Sequence, residues 1–428
     1  MTTSRAALTF VLLSVFIDSM GFGIIIPSMP KVIMQLTGEP LSDAARWGGY
    51  LMAVYALLQF FMAPIFGNLS DRFGRRPLLL FSLFAFGVDF LLTGLAKSMA
   101  WLFTGRAFAG VFGASYAAAG AYIGDISNDE NRAKNFGFIG AAWGSGFTLG
   151  PAIGGFVGQH FGARAPFFAA AALALANVVF GWFALPESLK PENRRKFEWS
   201  RANPFGALKS LAHLPMVAGL LLALFFYQVA HDSLPAVWMF FVQLKFGWSE
   251  FLSGWSLTFV GIMTVIVMAG LTNVIVPRLG ERRAIVIGFM LMVVGFAGYA
   301  LVPYGWMIFP ALAIGSLGGV ANPAMQSVMS KQAGPQAQGE LQGAMASISG
   351  IAAVISPIFM TWLFSHYSRA GAPVYLPGAP YLVSAVLVFL CVLICVRATR
   401  PAPTRPSATA TRTCRPSRWH TRGRRTSA

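Results

Sequence analysis

Apolar segments of about twenty residues, separated by short polar breaks, constrain this chain of 428 residues more than any other feature. Each segment has the length of an α-helix that crosses a bilayer, whereas a transmembrane barrel would show segments of about ten residues with alternating polarity. A composition of 56% hydrophobic and 11% charged residues is also too apolar for a soluble globular protein. The sequence therefore predicts an all-α polytopic membrane protein.

Twelve such segments follow one another along the chain, and no soluble domain is left over. The first has no small-residue cleavage site that stands out, so we expect it to be retained rather than processed as a signal peptide. The predicted spans cover residues 7–29, 47–66, 77–96, 101–123, 135–157, 165–185, 214–242, 251–276, 284–303, 305–326, 341–364 and 378–397.

The distribution of positive charge predicts how these spans are oriented. Loops that follow even-numbered spans carry 15 Lys and Arg residues, whereas loops that follow odd-numbered spans carry 6. Because cytoplasmic loops are enriched in Lys and Arg, both termini are expected to be cytoplasmic.

The formal net charge of +17 does not indicate a nucleic-acid partner. Nine of the positive charges are arginines in residues 397–428, where no acid occurs. This terminal segment is rich in Arg, Thr, Pro, Ser and Ala, which cannot build a core, so it is predicted to be disordered. It could bind anionic lipid or remain a solvated end without a partner.

A weak internal repeat divides the chain into two halves. An offset of 206 residues places Arg72 on Arg278 and Gly74 on Gly280. Two six-helix halves in parallel repeat are the natural interpretation. The predicted units are an N-terminal bundle (1–186), a cytoplasmic linker (187–213), a C-terminal bundle (214–397) and a basic tail (398–428).

The loop from Gly67 to Pro77 contains turn residues and three arginines that cannot enter hydrocarbon. An ordinary cytoplasmic loop would also carry arginines, but the whole pattern resembles the signature loop between helices 2 and 3 of the major facilitator superfamily. The resemblance implies two six-helix bundles that rock around a central cavity. It also implies that Asp71 helps to lock the halves together and that loop arginines pair with Asp125. The proposed gating residues are Gly67, Asp71, Arg72, Gly74, Arg75, Arg76 and Asp125.

The fifth span contains Gly146-x-x-x-Gly150-Pro151-x-x-Gly154-Gly155. This motif resembles the signature of antiporters within the superfamily. Small residues at every fourth position let helices approach closely, and proline bends the helix axis. The motif could therefore act as a pivot or seal between the halves, or it could serve helix packing alone.

The N-terminal half also resembles tetracycline efflux proteins, which are drug/proton antiporters of the twelve-helix type. The matching stretches include Asp18 to Pro27, Tyr55 to Gln59, Gly105-Arg106 and Phe147 to Gly155. The resemblance implies that Asp18 and Asp89 bind substrate or protons and that Arg106 is needed for transport.

Physical chemistry supports the same three residues, because a bare charge near the middle of a membrane costs about 3 kcal/mol on insertion scales. Such a group has to face a cavity or a partner. Arg106 could simply neutralise one of the two aspartates, which would be a structural role as well. Gln59 is placed with them as a polar residue of the same region.

The C-terminal half departs from the tetracycline efflux pattern. Thr264 and Met292 stand where those exporters carry a histidine and an aspartate, and neither replacement titrates. His231 and Asp232 are the compensating candidates for a proton site, although a helix kink at Pro235 could also place them in water without a function. Asn322 and Gln326 are further candidates for the cavity wall.

The predicted function is proton-coupled efflux of a hydrophobic drug across the bacterial cytoplasmic membrane, by a monomer. Proton-coupled uptake of a nutrient is one alternative, and a transporter-fold sensor or scaffold is another. No phosphate-binding loop, His-Glu-x-x-His motif or cysteine cluster occurs in the sequence, so we expect neither an enzyme nor a bound cofactor or metal. A divalent metal would enter only as part of a chelate, if the drug is a tetracycline.

Overall fold

The computed structural model describes residues 2–113, 115–128, 131–197, 215–334 and 337–398, and all regular secondary structure in them is helical. The first half contains α1 (Thr2–Ile25), α2 (Met29–Thr37), α3 (Leu41–Phe73), α4 (Arg75–Leu95), α5 (Met99–Phe112), α6 (Ser115–Ile126), α7 (Arg132–Phe161) and α8 (Ala165–Ala184). A short 3-10 turn, Pro191–Asn193, follows α8. The remainder of the predicted linker and the basic tail lie outside the described residues.

The second half contains α9 (Pro215–His231), α10 (Ser233–Phe246), α11 (Glu250–Val265), α12 (Thr272–Leu279), α13 (Glu281–Leu301), α14 (Ile308–Leu317), α15 (Ala321–Ala333), α16 (Gln338–Ser368) and α17 (Ala379–Ala398). The π-helical turn Ile266–Leu271 joins α11 to α12, and the 3-10 turns Gly305–Met307 and Gly318–Val320 flank α14.

Ten helical segments in the described part of the chain are long and apolar enough to cross a membrane. Two predicted spans have no counterpart among the ten. Span 101–123 is interrupted at Gly113, where α5 ends, and span 135–157 lies within α7, whose many glycines lower its mean hydropathy. The all-helical membrane fold is confirmed, while the number of twelve spans and the cytoplasmic termini stay predictions.

The two glycines that the internal repeat pairs adopt the same local conformation. Gly74, between α3 and α4, has φ of 109°, and Gly280, between α12 and α13, has φ of 77°. A residue with a Cβ is strained at such angles, so glycine is required at both turns. In addition, a Cβ on Gly74 would collide with the carboxylate of Glu187. The repeat therefore pairs equivalent turns of the two halves.

The glycine motif of α7 packs in two directions. Gly146, Gly150 and Gly154 face the backbone of α1, and a Cβ on Gly150 would lie 2.8 Å from Cα of Gly23. Gly155 faces the start of α11 in the other half, where a Cβ would lie 2.9 Å from Cα of Phe251. Helix α7 thus uses its glycines to contact both its own bundle and the opposite one.

We predict that Gly154→Leu destabilises the protein, because its Cβ would overlap the backbone of Ile24, which cannot move like a side chain. Overpacking of this kind costs about 1–3 kcal/mol. Gly140→Leu is the matched control, since nothing lies within 4 Å of a Cβ at this exposed position of the same helix. Thermal unfolding in detergent should show a lower midpoint for Gly154→Leu alone. Equal midpoints for the two variants would contradict the close approach of α1 and α7.

Candidate functional site

A buried ion pair joins α4 and α5 in the N-terminal half. Arg106 is 6% exposed and Asp89 is 0% exposed. The guanidinium contacts both carboxylate oxygens, with Nε 3.2 Å from Oδ1 and Nη2 bonded to Oδ2. Gly105 makes room for this arrangement, because a Cβ there would lie 2.7 Å from Oδ1 of Asp89. The charge of Asp89 is therefore neutralised where water cannot reach it.

A second polar contact links α3 to the end of α5. Nε2 of Gln59 donates to Oη of Tyr55 and to the carbonyl oxygen of Gly113, at 2.9 Å each. That carbonyl is available because α5 ends here. Tyr55 in turn lies within electrostatic range of both Asp18 and Arg106.

The structure thus brings four predicted residues of the N-terminal half into one polar group, and it adds Tyr55. Asp18 is partly exposed and Asp89 is fully buried, so the two acids differ in their access to solvent. The hydrogen bond between Tyr55 and Gln59 could have been expected from the sequence, since the two residues are spaced by one helical turn. We call Asp18, Tyr55, Gln59, Asp89 and Arg106 the N-terminal polar group.

Asp232, the candidate acid of the C-terminal half, lies at a break between two helices. Helix α9 ends at His231 and α10 begins at Ser233, so Asp232 lies between them. Its Oδ1 accepts a hydrogen bond from Nε2 of Gln228 at 2.8 Å and lies 3.5 Å from Nδ1 of His231. Its Oδ2 is buried, with no hydrogen-bond partner in the described part of the chain. The His231 side chain is about half exposed.

The other two candidates of this half lie near the same break. Asn322 is hydrogen-bonded to Tyr227, and Gln326 donates to Oδ1 of Asn322 at 3.2 Å. Tyr227 is within electrostatic range of Asp232. The predicted residues are therefore brought together here too, and Tyr227 and Gln228 join them although neither was a candidate. We call Tyr227, Gln228, His231, Asp232, Asn322 and Gln326 the C-terminal polar group.

The loop between α3 and α4 is held by Arg75. Its guanidinium lies 2.6 Å from Oδ1 of Asp71 and 3.1 Å from Oδ2 of Asp125. Glu187 accepts hydrogen bonds from the backbone N–H groups of Arg75 and Arg76 at 2.8 and 3.3 Å. The pairing expected with Asp125 is thus made by Arg75. The ion pair of Asp71 lies within the N-terminal half.

The other loop residues have different surroundings. Arg76 donates to the carbonyl oxygen of Trp182 at 2.5 Å, and Arg72 lies over the ring of Phe73. A Cβ on Gly67 would meet nothing within 4 Å, so the structure gives no steric reason for glycine at that position.

The major facilitator superfamily model matches residues 11–357 and 278–425 of this chain. The class C tetracycline resistance protein of Escherichia coli is 35% identical over 91% of this chain and 96% of its own length. The class G protein of Vibrio anguillarum is 34% identical over 91% and 97%. The chain belongs to the major facilitator superfamily. It is similar to tetracycline resistance proteins and is a multi-pass protein of the bacterial inner membrane.

Solved structures agree with this fold. The nucleoside transporter NupG superimposes with a TM-score of 0.77 at 12% identity, covering 92% of this chain and all of its own. The human organic anion transporter MFSD10 gives a TM-score of 0.67 at 22% identity, covering 92% and 99%. At these identities the likeness shows the major facilitator fold alone.

The two halves of this major facilitator protein are in contact at the end opposite the loop of Arg75. We call the end with that loop the loop face and the opposite end the far face. Near the far face, Ser365 donates to Oδ1 of Asp43 at 3.0 Å, and Gln243 donates to the carbonyl of Pro27 at 3.3 Å. Further from it, Thr258 donates to the carbonyl of Thr148 at 2.7 Å.

The ion pairs and hydrogen bonds described above at the loop face each lie within one half. The structure is therefore closed at the far face. The positive-inside prediction makes the loop face cytoplasmic, and on that basis this is the inward-facing arrangement.

We predict that Asp89→Asn and Arg106→Gln each destabilise the protein, because each leaves one buried charge without its partner. Breaking a buried pair in this way costs about 3–5 kcal/mol. The double variant should recover much of the loss, since no charge remains buried. Thermal unfolding measures the stability, and transport by the double variant separates a structural role from a functional one. Additive losses in the double variant would contradict the pairing.

Proposed function

We propose that this protein exports a hydrophobic drug, tetracycline-like or other, from the cytoplasm in exchange for protons. The observation that carries the proposal is the N-terminal polar group, which buries charge inside the membrane of a chain similar to tetracycline resistance proteins. We infer the kind of drug and the coupled ion from the buried charge together with this similarity. The closed far face supports alternating access as the mechanism.

Asp18 is the proposed proton carrier. Arg106 already neutralises Asp89, whereas Asp18 is partly exposed and can exchange a proton with water in the cavity. In the proposed cycle, Asp18 takes up a proton when the far face is open. It releases the proton when drug binds from the loop face, because Asp18 and the drug share the N-terminal polar group.

The C-terminal polar group supplies a second proposed proton site. A buried carboxylate oxygen without a hydrogen-bond donor is costly when ionised, and adding a proton removes that cost. Oδ2 of Asp232 is such an atom, and the half-exposed imidazole of His231, 3.5 Å from Oδ1 of the same carboxylate, is the proposed proton relay. This site replaces titratable groups that are absent at Thr264 and Met292.

The positions of Thr264 and Met292 support this substitution of sites. The hydroxyl of Thr264 donates to the carbonyl of Val260 on its own helix, and its side chain is exposed. Met292 is packed against Gly318. Neither side chain is placed to take part in proton transfer.

The alternatives are less consistent with the structure. A sensor or scaffold gains nothing from burying Asp89 and Arg106, which cost free energy inside a membrane. Uptake by symport is disfavoured by the glycine motif of α7, which resembles that of antiporters and packs α7 on both halves. We propose that a monomer suffices, and that a divalent metal takes part only when a drug chelates it.

The first test uses everted membrane vesicles with an imposed pH gradient and a panel of drugs that includes tetracycline. Drug addition should collapse part of the gradient, and Asp18→Asn should reduce this response about tenfold, equivalent to about 1.4 kcal/mol. Gly140→Leu, at an exposed position away from both polar groups, is the control for expression and insertion. The export proposal fails if no drug of the panel moves protons, and unchanged transport by Asp18→Asn removes that residue from the site.

A second test addresses Asp232. Asp232→Asn should lower the number of protons moved per drug while drug binding is retained, because asparagine keeps a partner for Gln228 but cannot titrate. Thr264→Ala is the matched control in the same half and should leave the ratio unchanged. Parallel measurements of drug flux and proton flux give the ratio. An unaltered ratio in Asp232→Asn would place all coupling in the N-terminal half.

A further inference from the structure

Glu250 connects the two halves at the far face, although the sequence did not single it out. It is the first residue of α11 and is 9% exposed. Oε2 accepts a hydrogen bond from Oγ of Ser28 at 2.7 Å, and Oε1 lies 3.2 Å from Nζ of Lys31. Ser28 and Lys31 belong to the N-terminal half, so both carboxylate oxygens contact the opposite bundle.

The glycines of α7 form the socket for this carboxylate. A Cβ on Gly158 would collide with Oε2 of Glu250 and with Oγ of Ser28. A Cβ on Gly155 would collide with the carbonyl of Glu250. The side chain therefore fits only because α7 has glycine at these two positions, one helical turn apart.

Several groups compensate the buried charge of Glu250. Lys31 supplies the opposite charge, Ser28 donates a hydrogen bond, and the N-terminus of α11 favours an anion. Lys31 is about half exposed, so its ammonium also faces water. When the halves separate, water can solvate both charges, which limits the cost of breaking the pair.

The contact differs from the other ion pairs of the molecule described here. Asp89 with Arg106, Asp71 and Asp125 with Arg75, and Glu281 with Lys331 each lie within one half. They can persist when the bundles rock. The Glu250 pair cannot, since its partners move apart.

We propose that Glu250 is a positioning residue of the transport cycle, which holds the far face closed through Ser28 and Lys31. It does not touch the cargo. By closing the far face, it sets the fraction of molecules whose cavity is open to cargo at the loop face. The inference rests on the proposed alternating-access function, but the position of the gate can be measured without any transport.

The experiment measures thiol labelling of a buried contact between the halves that becomes accessible from outside the cell only when the far face opens. Thr258→Cys is the reporter, because Thr258 is 2% exposed and bonds across the halves to the carbonyl of Thr148. The reporter chain has Cys391, Cys395 and Cys414 replaced by Ser. A membrane-impermeant maleimide is added to intact cells, and the labelling rate reports how often the far face opens.

Glu250→Ala should raise the labelling rate about tenfold. This is the expected result if the equilibrium constant between the states with the far face open and closed rises about tenfold. Glu250→Gln should give a smaller rise, because the amide keeps a hydrogen bond with Ser28 and loses the charge attraction to Lys31. Glu281→Gln is the matched control. It removes a similar ion pair, with Nζ of Lys331 at 2.7 Å, but within one half.

A charge exchange separates pairing from general damage. Lys31→Glu and Glu250→Lys should each raise labelling, and the double variant should return it toward the parent rate. Where a drug is transported, Glu250→Gln should also raise the half-saturating drug concentration at the loop face, because fewer molecules are open there.

Parent-like labelling in both Glu250→Ala and Glu250→Gln would overturn the proposal. An equal rise in Glu281→Gln would do the same, because it would show that any lost ion pair loosens the protein. Absence of transport with every drug, together with the expected labelling, would reject the export function and leave the gate assignment intact.

Discussion

The cost of charge between lipid tails determines where the titratable groups of this protein lie. Asp89 and Arg106 offset that cost by contacting each other, which fixes α4 against α5. The remaining acids of the two polar groups are in different surroundings. Asp18 is partly exposed, and Asp232 lies at a helix break with one oxygen lacking a donor among the described residues. The ion pair of Asp89 and Arg106 thus differs in its surroundings from Asp18 and Asp232, the two acids proposed to exchange protons.

The glycines of α7 contribute both to the packing of the N-terminal half and to the contact between the two halves at the far face. Gly150 and Gly154 bring α7 onto α1, while Gly155 and Gly158 receive the start of α11. A single helix thus carries the tightest contacts inside its bundle and a large share of those between bundles. Movement of α11 away from α7 exposes Glu250 without disturbing α1. In the proposed alternating-access cycle, this arrangement would let the halves separate as rigid bodies, because the contact that breaks is distinct from the contact that holds the bundle.

Features governed by local sequence could be predicted, and features governed by contacts between distant segments could not. Hydrophobicity located most spans, and the repeat paired Gly74 with Gly280, because both follow from the residues themselves. The interruption at Gly113 and the break at Asp232 fall inside apolar segments, where hydropathy gives no warning. Tyr227 could not be identified from the sequence, since its partner Asn322 is far away along the chain. Glu250 could not be identified for the same reason, because Ser28 and Lys31 are also far away along the chain.

The two halves differ in their polar groups, and this difference affects which drugs the protein can accept under the proposed function. The N-terminal polar group includes Asp18, Asp89 and Arg106, which the resemblance to tetracycline efflux proteins singled out. Of its two acids, Asp18 is the one nearer to solvent. In the C-terminal half, neither Thr264 nor Met292 titrates, and Asp232 lies instead at the break between α9 and α10. A drug bound between the halves would therefore contact an acid at the position of Asp232 rather than at the position of Thr264 or Met292. Since a buried hydrogen-bonding group discriminates strongly against ligands that leave it unpaired, a change in its position changes which polar edge of a drug is accepted. On the proposed export function, we therefore expect the selectivity among drugs to follow the C-terminal polar group, while Asp18 and Asp232 both take part in the proposed proton coupling.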